Sequence, residues 1–542
     1  MINIKPIELL LLSMLLISSL LTITAKADEQ RPNILFLLTD DMAYWATGYQ
    51  NSEFLTPQID ELAQQGVTFS NHYNTTSICM ASRATIMTGL LEYRTGTNFM
   101  HGSMQSDIFE TSYPILLKKA GYLTGFVGKF GFETPPLNPE KLPADYQNLP
   151  VDKFDFWAGG KGQLDYTTAN NYYLKQYAKR YPHVTQANGA AAIDFIREAH
   201  KQNKPFNLSV SFKAPHAPVR PDPQFSSLFE GREYSKPANY WRDKGKHLAL
   251  QAKLGRQYLT EDGFGFAPDT FNQRMADYNQ QIYGVDVVLG RLRAELDKLG
   301  MTDNTVIIFT ADNGYQNGNY GFSRKVLPYE ESVKVPLIIY DPRPNKMQAG
   351  SQTEALTANT DFVPTILELA GIKPDKHLDG VSLLEVLRHP SQTVHQFVPL
   401  LNVWGSAPTH YLGVVTPKWK YIYWPYAEGI SESEELFDLS QNMPEMRNLV
   451  RNKNYVTPLH TLHNLYDLQV KNWQHDAIHV NGYVNYATIF DRNIAWKQKK
   501  SYFESSFIHD YQQYFKQYQQ DPEEFEKTFG ITLPKPMEDP SN

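Results

Sequence analysis

Apolar runs that each end in a charged or polar residue, alternating with amphipathic segments, restrict the fold of this chain more than any other feature. "NILFLLTDD" starts at Asn33 and is continuously apolar until it stops at Asp40-Asp41. Such a run suits a strand covered on both faces. "YLTGFVGKF" ends around Lys129, "FNLSVSFKAPHAP" runs into Pro215-His216, "TVIIFTADNG" stops at Asp312-Asn313, and "VPLIIYDP" follows as a fifth run. Between the third and fourth, Met275, Tyr278, Ile282, Val285, Leu289, Leu292, Leu296 and Leu299 recur three and four apart, with Gly300 closing the pattern. That spacing predicts a long helix. "TPQIDELAQQG" predicts another, with Thr56 as N-cap, Pro57 in the first turn and Gly66 past the end. Strands alternating with helices predict an α/β fold with a large, mostly parallel sheet flanked by helices.

After about residue 395 the texture changes. "YLGVVTPKWKYIYWPY" and "ELFDLSQNMPEMRNL" suit antiparallel strands and a short helix, and "DYQQYFKQYQQDPEEFEKTFG" suits a helical tail. The expected division is residues 28–395 for a larger domain and 396–542 for a smaller C-terminal domain with an antiparallel sheet. No internal repeat or low-complexity segment interrupts either part.

The N-terminus carries Lys5, an apolar stretch from Leu9 to Ile23, and Thr24-Ala25-Lys26-Ala27 before Asp28. A basic start, an apolar middle and a small-residue cut site predict a signal peptide over 1–27, cleaved after Ala27, and a periplasmic or secreted protein. An uncleaved anchor is the alternative; the run falls short of the ~20 residues that span a bilayer. No later segment is apolar enough for stable membrane insertion. The formal net charge of −7 argues against a nucleic-acid partner. An exported chain with a single cysteine, Cys79, cannot form an internal disulfide. That residue is a buried apolar side chain, an intermolecular link, or chemistry.

In doubly wound sheets ligands bind at the carboxyl ends of the strands. Those ends here offer Asp40, Asp41, Lys129, His216, Asp312 and Asn313. The acids and the amide supply oxygen donors for a hard cation, Ca²⁺ or Mg²⁺. Adjacent carboxylates need a cation or a shared proton when buried. Lys129 and His216 add positive charge, so the site suits sulfate, phosphate or carboxylate. "SRATIMTG" predicts a helix that places Cys79 at its N-terminus and Arg83 one turn on, an environment expected to hold a nucleophile ionised.

"RPNILFLLTDD", "CMASRATIMTG", "GYLTGFVGK", "KAPHAPV", "TADNG", "KVLPYEESVKVPLII", "TDFVPTILELAGI" and "LDGVSLL" together resemble the type I, formylglycine-dependent sulfatases of the alkaline-phosphatase superfamily, over nearly all of 31–450. The resemblance implies an alkaline-phosphatase-like fold. It also implies that Cys79 is oxidised by a maturation enzyme to 3-oxoalanine (Cα-formylglycine). One hydroxyl of the hydrated aldehyde attacks the sulfur of a sulfate ester, the alcohol leaves, and the second hydroxyl expels sulfate. Carried over by residue, Asp40, Asp41, Asp312 and Asn313, with residue 79, hold the metal, expected to be Ca²⁺. Arg83 and Lys129 stabilise the diol and the intermediate. His216 contacts sulfate and protonates the leaving oxygen. Lys325 contacts sulfate, with Arg324 a rival for that role.

The chain departs from the family pattern twice. Ala81 stands where proline is commonest, a variant resembling motifs accepted by oxygen-independent maturation enzymes. Gly131 stands where many members carry a histidine that deprotonates the diol; His72 and His101 are the nearest substitutes in sequence. The resemblance implies a sulfated carbohydrate or other sulfate ester as partner. The alternatives are a phosphodiesterase or phosphonate hydrolase with the same aldehyde and metal, and a catalytically silent relative that binds sulfated glycans.

Overall fold

The computed structural model describes residues 31–135, 148–259, 265–374, 376–427, 430–441, 445–503 and 516–533. The expected signal peptide lies outside the described residues. No helix of the described residues is long and apolar enough to cross a membrane.

The strands in chain order are β1 (Asn33–Thr39), β2 (Val67–Tyr73), β3 (Leu123–Lys129), β4 (Phe156–Gly160), β5 (Phe206–Ser211), β6 (Thr305–Ala311), the short hairpin β7 (Gln316–Asn317) and β8 (Ser323–Arg324), β9 (Leu337–Tyr340) and β10 (Ser351–Ala358). Eight of them form one sheet in the order β10-β2-β9-β6-β1-β5-β3-β4. Every neighbouring pair is parallel except those of β9, which runs against both β2 and β6. The fifth apolar run is therefore a strand, but the reversed one. A parallel neighbour needs a crossover, whereas β9 returns beside β6 after an excursion on the same edge.

All five expected strands are present; β2, β4 and β10 are additional. β4 and β10 are edge strands, and β10 alternates exposed polar with buried positions, so neither carries a continuous apolar run. The run in β1 is explained by its two covered faces. Leu35 and Leu37 join one core with helices Pro57–Gln65, Val184–Gln202 and Phe271–Lys298. Ile34, Phe36 and Leu38 join the other, with helices Cys79–Thr88, Tyr113–Lys119 and Phe362–Leu369. Each such side chain contributes about 1.5–3 kcal/mol on burial.

A second sheet is an antiparallel meander of β11 (Val398–Asn402), β12 (Tyr411–Val415), β13 (Trp419–Trp424) and β14 (Ser433–Asp438). Helix Val456–Asp476 shares its core. The short helix expected after β14 is absent among the described residues there, and residues 516–520 and Pro522–Phe529 are helical in the described part of the tail.

Thr56 does not cap its helix through its side chain. Its hydroxyl donates to Asp60 Oδ1 at 2.8 Å. The free first-turn amides of Gln58 and Ile59 instead donate to Asp286 Oδ1, both at 2.8 Å, from the long helix. Burial pushes the Asp286 carboxyl up to about 7, against the lowering effect of those two N–H groups. A raised carboxyl favours the fold fully below its ordinary value of 3.8, and that contribution is lost as pH rises through about 7. Asp286→Asn keeps an acceptor for both amides and cannot ionise. Between pH 4 and pH 8 its thermal midpoint is expected to fall less than that of the native protein. Equal slopes would show that this carboxyl does not titrate in that window.

Candidate active site

The strand ends do what their sequence suggests: they deliver polar groups to one place. Asp40 and Asp41 leave β1, Lys129 ends β3, His216 follows β5, and Asp312 and Asn313 leave β6. Helix Cys79–Thr88 points its N-terminus at them, with Ile78 extended at φ −138° as N-cap. Cys79 and Arg83 lie one turn apart on it. Lys325 arrives from the end of β8.

These nine side chains form one connected cluster. The Lys129 ammonium binds Asp40, and the Lys325 ammonium binds Asp41. Lys325 Nζ also lies 2.8 Å from Cys79 Sγ, and the thiol donates to Asp40 Oδ1 at 3.2 Å. Of the pair Arg324–Lys325, Lys325 is thus the one that reaches residue 79. Arg83 Nε donates to Asp312 Oδ2 at 2.7 Å, and its Nη1 donates to the Lys129 carbonyl at 2.7 Å and to Ser211 Oγ. Asn313 Nδ2 donates to Asp41 Oδ1 at 2.6 Å, and the Asp41 amide donates to Asp312 Oδ1 at 3.2 Å. His216 Nε2 is 3.6 Å from Asp41 Oδ2, and its Nδ1 meets the Ala217 carbonyl.

The buried acids Asp40, Asp41 and Asp312 face the buried cations Arg83, Lys129 and Lys325. Buried charges persist only when paired in this way. Burial opposes ionisation of Asp40, yet Lys129, His216, Arg83 and Lys325 hold its carboxyl well below the usual range. Asp312 goes the other way: burial, with Asp40 nearby, pushes it up to about 6 in spite of Arg83. Burial lowers the Lys325 ammonium, but Asp41, Cys79 and Asp40 outweigh it and keep the group charged. Burial pushes His216 down to about 4, against Asp41.

The ionised state expected for Cys79 is not found. Burial and the Asp40 carboxylate push its thiol far above the ordinary value, and Lys129 and Lys325 do not compensate. Arg83 and the helix N-terminus do not ionise it because Arg83 is turned to Asp312. An unionised thiol is a poor nucleophile, so as cysteine this residue is not equipped to attack.

Neither nearby histidine replaces a group at position 131. His72 is fully buried, with Nδ1 3.0 Å from Thr357 Oγ1 and its ring against Phe362. His101 Nε2 lies 2.8 Å from the Val403 carbonyl, and its ring packs on Tyr483 and Tyr486. Gly131 itself has φ +94°, and a Cβ there would stand 2.5 Å from Arg83 Cδ. The positive φ disfavours any side chain there, and the Arg83 side chain occupies the space a Cβ would need. Gly131→Ala is expected to displace Arg83 and cut turnover by about tenfold or more, following the usual cost of misplacing a positioning group. Native turnover in that variant would show that Arg83 tolerates the methyl.

Sequence reasoning missed several groups that shape the site. Tyr278, read only as a core position of the long helix, donates from its hydroxyl to the Asp41 carbonyl at 2.7 Å and accepts from the Ala43 amide at 2.9 Å. Gln163 Oε1 accepts from Lys129 Nζ at 2.7 Å. The Tyr166 hydroxyl donates to the His216 carbonyl at 2.7 Å. Only the register of Tyr278 was visible, and a tyrosine in a core stripe reads as packing.

The donor set fits a hard divalent cation. Asp40, Asp41, Cys79 and His216 place ligand atoms within 4.8 Å of one another. Asn313 Oδ1 is a buried acceptor with no protein partner, while its amide nitrogen is tied to Asp41. Carboxylates plus an amide oxygen suit Ca²⁺ or Mg²⁺.

Residues 32–372 match the sulfatase family model, and residues 318–472 match that of the N-sulphoglucosamine sulphohydrolase C-terminal region. The chain belongs to the sulfatase family. It is a sulfuric ester hydrolase with the alkaline-phosphatase-like fold. Among relatives of this sulfatase, an N-acetylglucosamine-6-O-sulfatase of Bacteroides thetaiotaomicron is 27% identical over 498 residues, covering 79% of this chain and 84% of that protein. The solved structure of BT4656 in complex with its substrate D-glucosamine-2-N,6-O-disulfate superposes with TM-score 0.69 at 25% identity, covering 82% of this chain and 99% of that one. A phosphonate monoester hydrolase, SpPMH from Silicibacter pomeroyi, shares the fold with TM-score 0.67 at 20% identity, covering 83% and 96%.

Proposed function

We propose that this sulfatase is exported and removes sulfate from a sulfated carbohydrate, with residue 79 matured by a separate enzyme from cysteine to Cα-formylglycine. The observation that carries the reading is the convergence on Cys79 of oxygen donors, Arg83 and two ammonium groups, with Lys325 Nζ 2.8 Å from Sγ. In it, residues 28–395 hold the catalytic groups and 396–542 form the smaller C-terminal domain. Asp40, Asp41, Asp312 and Asn313, with residue 79, would hold Ca²⁺. When present, the aldehyde supplies a hydrated carbonyl nucleophile and the cation supplies Lewis acidity.

The chain's own groups do the rest. Arg83 and Lys129 lie where charge on residue 79 is neutralised, and Asp40 and Asp312 keep both cations aimed. Lys325 and His216 offer donors to sulfate oxygens. Nδ1 of His216 faces a backbone carbonyl, which leaves Nε2 toward the site; burial keeps the ring neutral, so Nε2 passes a proton to the leaving oxygen only once the charge of bound sulfate has drawn one onto it. Burial closes the cluster to bulk water, which strengthens each of these interactions.

The named activities of the relatives make N-acetylglucosamine-6-sulfate the first substrate to test. The likeness of fold to a phosphonate hydrolase keeps an aryl phosphonate or phosphodiester as the rival. Matured protein is incubated with each at equal concentration, and sulfate or phenol release is followed. Faster sulfate release supports the reading. Preferential phosphonate or phosphodiester hydrolysis overturns it in favour of the second, and glycan binding without turnover favours a silent relative.

A further inference from the structure

The backbone that carries Lys325 is one its sequence does not favour. Arg324 has φ +75° and Val326 φ +90°. For a β-branched residue that region is a steric outlier, and it persists only where the surroundings enforce it. Here the surroundings are the second sheet. Tyr411 on β12, fully buried, donates from its hydroxyl to the Val326 carbonyl at 2.9 Å. Lys420 on β13 donates to the Pro328 carbonyl at 2.9 Å and pairs with Glu330 at 2.6 Å. The Tyr329 hydroxyl donates to Glu435 on β14 at 3.3 Å. Three strands of the C-terminal sheet thus grip the segment from Val326 to Glu330. The Val326 side chain packs with Ile78 and Ala81 at the start of the Cys79 helix, with Trp404 against them. Lys325 turns to Asp41 and Cys79.

We propose that Tyr411 is a positioning residue for the sulfatase reaction. Its hydroxyl anchors the Val326 carbonyl, which keeps the strained turn from relaxing and holds the Lys325 ammonium over residue 79. The C-terminal sheet thereby belongs to the catalytic machinery without touching the reacting atoms. This rests on the reading of Lys325 as a sulfate contact.

The test is a double-mutant cycle on the matured full-length enzyme with a sulfate ester. Tyr411→Phe keeps the ring, whose neighbour Trp424 lies 5.3 Å away between centroids, and removes one hydrogen bond. With Lys325 present it is expected to lower kcat/KM about five- to tenfold, the range of one such bond. In the Lys325→Ala background it is expected to change kcat/KM less than about twofold, because coupled residues are non-additive. The competitive inhibition constant of inorganic sulfate should rise with Tyr411→Phe in the native background and stay level in the Lys325→Ala background. Equal losses in both backgrounds, or no loss in the first, would overturn the positioning role. If Lys325→Ala alone keeps native kcat/KM, the sulfate-contact reading fails and takes this inference with it. That single variant tells the two failures apart.

Discussion

Cys79→Ala protein should fold and should release sulfate at least about 10⁴-fold more slowly than the native enzyme, the scale on which loss of a nucleophile acts. Folding should survive because Cys79 is one small buried side chain at the start of a helix otherwise packed on both the sheet and helix Phe362–Leu369. The exchange for alanine removes one sulfur from van der Waals contact, at about 1 kcal/mol. Turnover should not survive because residue 79 is the group on which the cations converge, while the carboxylates are tied to Arg83, Lys129 and Lys325, Ser211 Oγ is held by Arg83, and the His216 ring is turned to Asp41 and the Ala217 carbonyl. The native thiol is itself raised far out of its reactive range by burial and Asp40. Sulfate release and the mass of the tryptic peptide containing position 79 are measured together. A fully active native preparation whose peptide holds an unmodified cysteine would remove the basis for the mechanism.

Lys420→Met is expected to cost about 3–5 kcal/mol of stability, the range for breaking a buried pair on one side. Lys420 Nζ sits 2.6 Å from Glu330 Oε1 and 2.7 Å from Glu445 Oε1, and all three side chains are buried. Methionine fills the stem's volume but leaves both carboxylates without that cation. Burial already pushes Glu445 up to about 8 with Lys420 in place. A raised carboxyl favours the fold below its ordinary range and loses that contribution as pH rises through the folded value. The loss in the variant should therefore be larger at pH 8 than at pH 5, where the acids can take up protons. Urea midpoints at both pH values check the sign. A loss below about 1 kcal/mol at pH 8, or one that grows in acid, would mean that the triad is not the anchor its geometry describes.

What could be read from the chain followed short-range rules. Continuous apolar runs mean strands buried on both faces, and β1, β3, β5 and β6 lie centrally in the sheet for that reason. The polar residue at each strand end marks the ligand edge, so Asp40, Lys129, His216 and Asp312 were visible before any coordinates. Edge strands β4 and β10 were not visible, because with one neighbour and one open side they need no continuous run. Lys325 was legible through motif register, but the strained turn that presents it was not.

By itself the sequence determined the layered α/β plan, the helix that starts at Cys79, and which polar groups stand at the sheet's carboxyl edge, because these depend on periodicity and on neighbours close in the chain. Tertiary structure alone decided the reversal of β9, the cap that Asp286 lends to another helix, the unionised thiol, the glycine demanded by Arg83, and the hold of the second sheet on Lys325. Each of those joins residues far apart in the chain, and burial and close approach between such residues have no local pattern to announce them.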